Sequence, residues 1–393
     1  MIDKLIKQMI YLDNNATTRI APEVLAAMEP FLSDFYGNPS SSHSFGRQSR
    51  RALEDARESV ADILNVSSPP EIVFTSGGTE STNWAIQGAL QLKPSKKHII
   101  TTRVEHEVVA RLFEKFETYG YTVTYLEVDA NGMLDLGALR KAITDDTALV
   151  SIMAANNETG VLFPIAQIAE IIKEHSDAFF HVDGVQAVGK IPLDLRATQI
   201  DFFAISGHKF HAPKGVGALY VRQGIDLPPL LVGGSQEGKR RAGTENLASI
   251  IGLGAASELS KNLDSQDQVR ALRNQLENEI LQKIPNARLN GTREQNFRLP
   301  NTTNISFLGV DGESLMAQLN ARNVFVSTGS ACNSETHQSS AVLRAMNIPY
   351  QQAMGAIRFS LSRFTTQTEI DFVLRVLPTI VDDLRKMSPL CAN

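Results

Sequence analysis

Cysteine is nearly absent from this chain: among 393 residues only Cys332 and Cys391 occur. A secreted scaffold of this size would normally carry several disulfide pairs, so the shortage favours a reducing cytosol. A large excess of one charge sign is also missing. A net charge of -5 gives no reason to expect a nucleic-acid partner. The one dense basic spot, Lys239-Arg240-Arg241, reads either as a solvated face or as help in holding a single phosphate. No apolar run approaches the length that spans a bilayer, and Asp3, Lys4 and Lys7 interrupt the apolar residues of 1–10, leaving no signal-peptide core. Internal repeats and low-complexity stretches are absent too. These gaps predict a soluble cytoplasmic protein that meets neither membrane nor nucleic acid.

What is there is alternation. An apolar fraction of 42% and a charged fraction of 21% are ordinary for a globular chain, and the length suffices for two domains. Short β-rich runs fall at 71–75, 98–102, 122–128, 148–154, 178–183, 202–206 and 217–221. Helical patterns lie between several of them, as at 164–175, where Ile165, Ile168, Ala169 and Ile172 share one face. Strand–helix alternation predicts an α/β fold, with a mostly parallel sheet flanked by helices. The unbroken apolar run 148–154 suits a strand buried on both faces. Beyond about residue 260 the pattern changes to a long polar helix at 264–283, strands at 304–308, 324–327 and 357–361, and a last helix at 368–386. The expected division is an N-terminal segment 1–20, a large domain 21–260 and a smaller α+β domain 261–393, with the stretch 22–35 also packed on the small domain.

In an open parallel sheet, ligands bind beyond the carboxyl ends of the strands. Four motifs sit there. Thr75-Ser76-Gly77-Gly78-Thr79-Glu80 follows a strand and opens a helix, which suits an anion; it reads equally as a glycine turn with Thr79 as N-cap. No Lys-Ser or Lys-Thr follows the glycines, so it is not a Walker loop. Asp183 ends an apolar strand, where a carboxylate needs a cationic partner or a helix to cap. Lys209, in Ser206-Gly207-His208-Lys209, ends another strand and suits a Schiff base, with Lys214 in a glycine-rich turn as its competitor. Cys332 sits in the small, polar run Ser327-Thr328-Gly329-Ser330-Ala331-Cys332-Asn333-Ser334, which predicts an exposed loop and a reactive thiol; Cys391 reads as a tail residue.

Taken in order, these motifs resemble the cysteine desulfurases of the NifS/IscS type, which are fold-type I pyridoxal-phosphate enzymes. The resemblance begins at Tyr11-Leu12-Asp13-Asn14-Asn15-Ala16-Thr17-Thr18 and runs nearly to the end, through Gly37-Asn38-Pro39-Ser40-Ser41, Arg241-Ala242-Gly243-Thr244-Glu245-Asn246 and Arg358-Phe359-Ser360-Leu361. It implies that Lys209 bonds covalently to pyridoxal phosphate, that Asp183 pairs with the ring nitrogen, and that Gln186 donates to the ring oxygen. It implies a phosphate cradle of Gly78, Thr79, Ser206 and His208, with Thr244 reaching across from the second subunit of a homodimer. His106 matches a residue that stacks on the ring and relays protons. Asn157 and Arg358 match the holders of the substrate carboxylate, a task that suits a planar guanidinium.

The reaction so implied takes sulfur from L-cysteine. Lys209 removes the α-proton, the Cys332 thiolate attacks the substrate sulfur, and alanine leaves while Cys332 keeps a persulfide for an iron–sulfur scaffold or another acceptor. The family often has two serines where Ser327-Thr328 stand, and Thr-Ser where Asn333-Ser334 stand. The stretches 157–165 and 346–364 look closer to the nitrogen-fixation branch. An aminotransferase or a selenocysteine lyase of the same fold would share most of these motifs, though an aminotransferase has no need of Cys332. A non-catalytic scaffold would purify colourless. A metal site is disfavoured, because His181, His208 and His211 lack helical ligand spacing.

Overall fold

The computed structural model describes residues 9–329 and 339–387. Its main sheet has seven strands: β2 (Ile72–Thr75), β3 (His98–Thr102), β4 (Thr122–Leu126), β5 (Thr147–Ser151), β6 (Phe179–Asp183), β7 (Phe202–Ser206) and β8 (Gly217–Val221), in the order β2-β8-β7-β6-β5-β3-β4. All neighbours run parallel except β8, which is antiparallel to both β2 and β7. Alternate side chains point to opposite faces of a strand. Accordingly Ile100, Val150 and Phe203 join one core cluster while their neighbours Ile99, Leu149 and Phe202 join another. Both faces are covered, which is why these strands read as continuous apolar runs rather than as alternation.

A second body carries its own core. Strands β9 (Ala287–Asn290), β10 (Thr302–Phe307) and β12 (Ala356–Ser360) form an antiparallel sheet, with β10 in the middle. The helices Asp264–Lys283 and Gln367–Met387 bury Leu272, Leu276, Leu374 and Leu377 with Ile305 and Phe359 of that sheet. The segment from Ile10 belongs here too. Strand β1 (Ile10–Tyr11) pairs in parallel with β11 (Val324–Phe325), and Leu12 is fully buried in the same cluster.

The stretch expected to pack on the small body does not do so. The helix Pro22–Met28 lies against the helix Leu247–Lys261, and its Val24 and Met28 are buried in the core of the large body. Gly252 lets Met28 come this close; a Cβ there would meet Met28 Sδ at 2.6 Å. Among the described residues no helix is long and apolar enough to cross a membrane.

Candidate active site

The carboxyl ends of β6 and β7, together with the turn after β2, converge on one edge of the main sheet. The helix Gly78–Leu92 starts there with Gly77 as its N-cap, and no side chain caps it. Thr79 therefore lies inside the first turn and is not the cap that one reading of the sequence made it. The N–H groups of a first helical turn have no intrahelical acceptors and carry the positive end of the helix dipole. Two glycines are required here by packing. A Cβ on Gly78 would lie 2.7 Å from Val185 Cγ2, and one on Gly217 would lie 2.4 Å from Ile205 O and 2.7 Å from Gly77 Cα. The result is a small concavity walled by Gly77, Gly78 and the buried Ser206. The hydroxyl of Ser206 lies 3.7 Å from where a Gly77 Cβ would stand.

Arg241 closes the other side of that turn. Its Nε and Nη2 donate to the two oxygens of Glu80, which also accepts from Ser76 N. The basic triplet is thus not a solvated face, since Glu80 engages Arg241 and Arg240 Nε donates to Glu237 O. A buried bidentate pair, Arg57 with Glu237, fastens the same segment to the edge strand β2. Glu237 Oε2 also accepts from Phe74 N.

Lys209 follows β7 in a short 3-10 turn, and its Nζ donates to the main-chain oxygens of Asn15 (2.7 Å) and Ala16 (2.8 Å). His208 beside it meets Thr17 Oγ1 through Nδ1. Burial, reinforced by the cations of Lys209 and Lys214, pushes its pKa down to about 4, so the ring is neutral near pH 7. Lys214 itself is exposed, as a loop lysine should be.

Asp183 ends β6, is buried, and accepts from Val185 N at 3.0 Å. No helix follows for it to cap. Burial raises its pKa, opposed by His106, by the Val185 N–H and by Lys209. A buried carboxylate of this kind is stabilised by a cationic partner. Gln186 donates from Nε2 to Asn15 O, and Lys190 Nζ donates to its Oε1. His106 is exposed and caps the helix Glu107–Thr118 by accepting from Val108 N.

Arg358, on β12, is buried between two oxygens. Its Nη2 pairs with Asp13 at 2.6 Å, and its Nη1 donates to the main-chain oxygen of Asn157 at 3.1 Å. Its Nε is buried with no hydrogen-bond partner among the described residues. Thr244 is exposed, and among the described residues no hydrogen bond joins it to the cradle of its own chain. Cys332 and Cys391 lie outside the described residues.

The model of the family described as aminotransferase class-V matches residues 10–373. The chain belongs to this family. Within it, a cysteine desulfurase of Trichormus azollae is 53% identical over 383 residues, covering 97% of this chain and 95% of the relative. The solved structure of a NifS-like protein superposes with a TM-score of 0.89 at 37% identity, over 96% of this chain and 100% of its own. A second, described as SspA in complex with cysteine, gives a TM-score of 0.80 at 35% identity, over 91% and 100%. The fold is thus that of the family, fold-type I, whose cofactor is pyridoxal phosphate. The residues fit that group: the glycine concavity at a helix N-terminus suits a phosphate, Lys209 offers an amine, and buried Asp183 calls for a cation.

Several residues on which this site depends carry little signal in the sequence. Asn15, in the Tyr11–Thr18 motif, has a main-chain oxygen that gathers Lys209 and Gln186. Asp13 gives no local signal because its partner Arg358 lies elsewhere in the chain, and Lys190, though four residues from Gln186, gives none because its burial depends on distant segments. Glu105, next to His106, is buried, accepting from Thr102 Oγ1 and Met153 N, while among the described residues its Oε2 has no partner. Burial lifts its pKa to about 8.

Proposed function

We propose that this protein is a pyridoxal-phosphate-dependent cysteine desulfurase, which converts L-cysteine to L-alanine and keeps the sulfur as a persulfide on Cys332. The observation that carries the reading is the meeting of Lys209, Asp183 and the glycine concavity at one edge of the sheet, with Arg358 reaching the same strap of residues 13–16. When bound, the cofactor supplies an electron sink for the carbon that carries the amino group. Gly78, Thr79, Ser206 and His208 would hold its phosphate, Asp183 would pair with its ring nitrogen, Gln186 would donate to its ring oxygen, and His106 would lie over the ring.

The protein's own residues then divide the work. Arg358, steadied by Asp13 and by Asn157 O, receives the substrate carboxylate, which fixes the α-carbon in front of Lys209. Lys209 takes the α-proton at Nζ. The Cys332 thiolate attacks the substrate sulfur; a sulfur–sulfur bond forms as the carbon–sulfur bond breaks, and the electron pair stays with carbon, which gains a proton on the way to alanine. The persulfide passes to an iron–sulfur scaffold or another thiol acceptor. The working form is a cytoplasmic homodimer in which Thr244 serves the partner's cradle, consistent with its exposure in a single subunit.

The test is alanine formation from L-cysteine with a reductant present, comparing the wild type with Cys332→Ala. Alanine from the wild type, and next to none from the variant, is expected. Equal alanine from both would leave the family standing and remove the desulfurase.

A further inference from the structure

Lys190 is the least expected charge in the molecule. It is 7% exposed, and among the described residues no carboxylate pairs with it. Its Nζ instead donates to two neutral amides, Gln186 Oε1 at 2.6 Å and Asn15 Oδ1 at 3.3 Å. Taking a lysine out of water without a counter-charge is costly, so the position calls for a reason beyond packing. The charged groups that act on it are Lys209 and Arg358, and it acts in turn on His211; every one of these is a potential cation.

The bonds around it form a closed knot. Asn15 receives Lys209 Nζ and Gln186 Nε2 on its main-chain oxygen, and Lys190 Nζ and Asn301 Nδ2 on its side-chain oxygen. A carboxamide has one acceptor end and one donor end. With Lys190 held against the oxygen of Gln186, the nitrogen end must turn toward Asn15 O, the atom that also receives Lys209. Without Lys190 the Gln186 oxygen loses its buried donor, and the amide is held by its single bond to Asn15 O.

We propose that Lys190 is a positioning residue for the reactive amine: it fixes the direction of the Gln186 amide and, through Asn15, the seat of Lys209. The role rests on the desulfurase reading above, since it concerns the amine that carries the cofactor. Its electrostatic side follows from proximity. Burial holds the Lys190 amine well below the ordinary lysine value, with Lys209 and then Arg358 pushing the same way. Repulsion between two cations is mutual, so Lys190 in its protonated form also disfavours positive charge on Lys209.

The experiment uses the full-length protein loaded with pyridoxal phosphate, without cysteine, and follows its visible absorption band against pH. Lys190→Met is expected to fold and to take up cofactor more slowly. The midpoint of its spectral titration should rise by about one pH unit or more. Lys190→Arg, which keeps a donor against Gln186, should recover part of the shift. If Lys190→Met does not fold, Lys190→Leu is read in the same way, because it too removes both the charge and the donor to Gln186. A wild type with a normal band and variants whose midpoints do not move would overturn the role of Lys190 alone. A wild type that takes up no cofactor would sink both this role and the functional reading beneath it.

Discussion

Two side chains at the residue scale have consequences that can be measured. Arg358 is buried and its charge is matched by Asp13, so the pair is preorganised before any substrate arrives. A charge-assisted hydrogen bond contributes about 1.5–3 kcal/mol. Arg358→Leu should therefore raise KM for L-cysteine by at least about tenfold, with less effect on kcat, in steady-state assays. Glu105 gives a pH signature. Its folded pKa is raised to about 8 by burial, against 4.5 in the unfolded chain. The folded state then binds more protons than the unfolded one between these values, and stability falls as pH rises from 4.5 to about 8. Glu105→Gln lacks that proton uptake. Its melting temperature should gain on the wild type as pH rises through this window and hold level above it. How much of this was legible in the sequence depends on where a residue's partners lie. Lys209 and Asp183 announce themselves because a charge at the end of an apolar strand is anomalous within a few positions. Glu105 and Asp13 become anomalous only once Met153 and Arg358 are brought beside them, and Lys190 only once Asn15 and its neighbours bury it.

Elements tell a similar story, with direction as the missing variable. The apolar runs at 98–102, 202–206 and 217–221 and the polar helix at 264–283 coincide with β3, β7, β8 and Asp264–Lys283. An apolar run has no polarity, however, so nothing in 217–221 says that β8 runs against its neighbours. Strand β9, Ala287–Asn290, is half-buried and carries Arg288 and Asn290, too polar to be read as a strand on its own. The helix Pro22–Met28 packs on the large body through Gly252, far along the chain, which its own sequence does not show. Two variants test the elements that shape the cradle. In Gly78→Ala the new methyl meets Val185 Cγ2, so the first turn must shift. Cofactor affinity should drop by about tenfold or more, at little cost in melting temperature, as followed by fluorescence titration. Arg57→Met strands Glu237 in the interior, and breaking a buried pair of this kind costs about 3–5 kcal/mol. Urea unfolding should report a loss of that size, because Glu237 ties the 237–244 segment to β2.

For the whole molecule, the proposed dimer makes a prediction that one subunit cannot satisfy alone. If Thr244 serves the opposite cradle, Lys209→Ala and Thr244→Ala subunits are each impaired, but a mixed dimer contains one site with both residues intact. Mixing the two variants after dissociation should restore up to about half of wild-type alanine formation per mixed dimer. No gain on mixing would place Thr244 in its own site or outside the reaction. Exposed Leu25, Leu32, Tyr36 and Val232 give a single subunit an apolar surface to cover in such a dimer. The strap that begins at Ile10 has a bearing on how the protein is handled. It enters as a strand against β11, passes Ser360 of the small body through Asn14 and Asn15, and then receives Lys209 from the large one before Thr18 N donates to His208 O. An engineer trimming the chain's beginning would, within ten residues of Ile10, be cutting into the reactive centre. A fusion joined ahead of Ile10 pulls on a cord whose other end is tied to the amine.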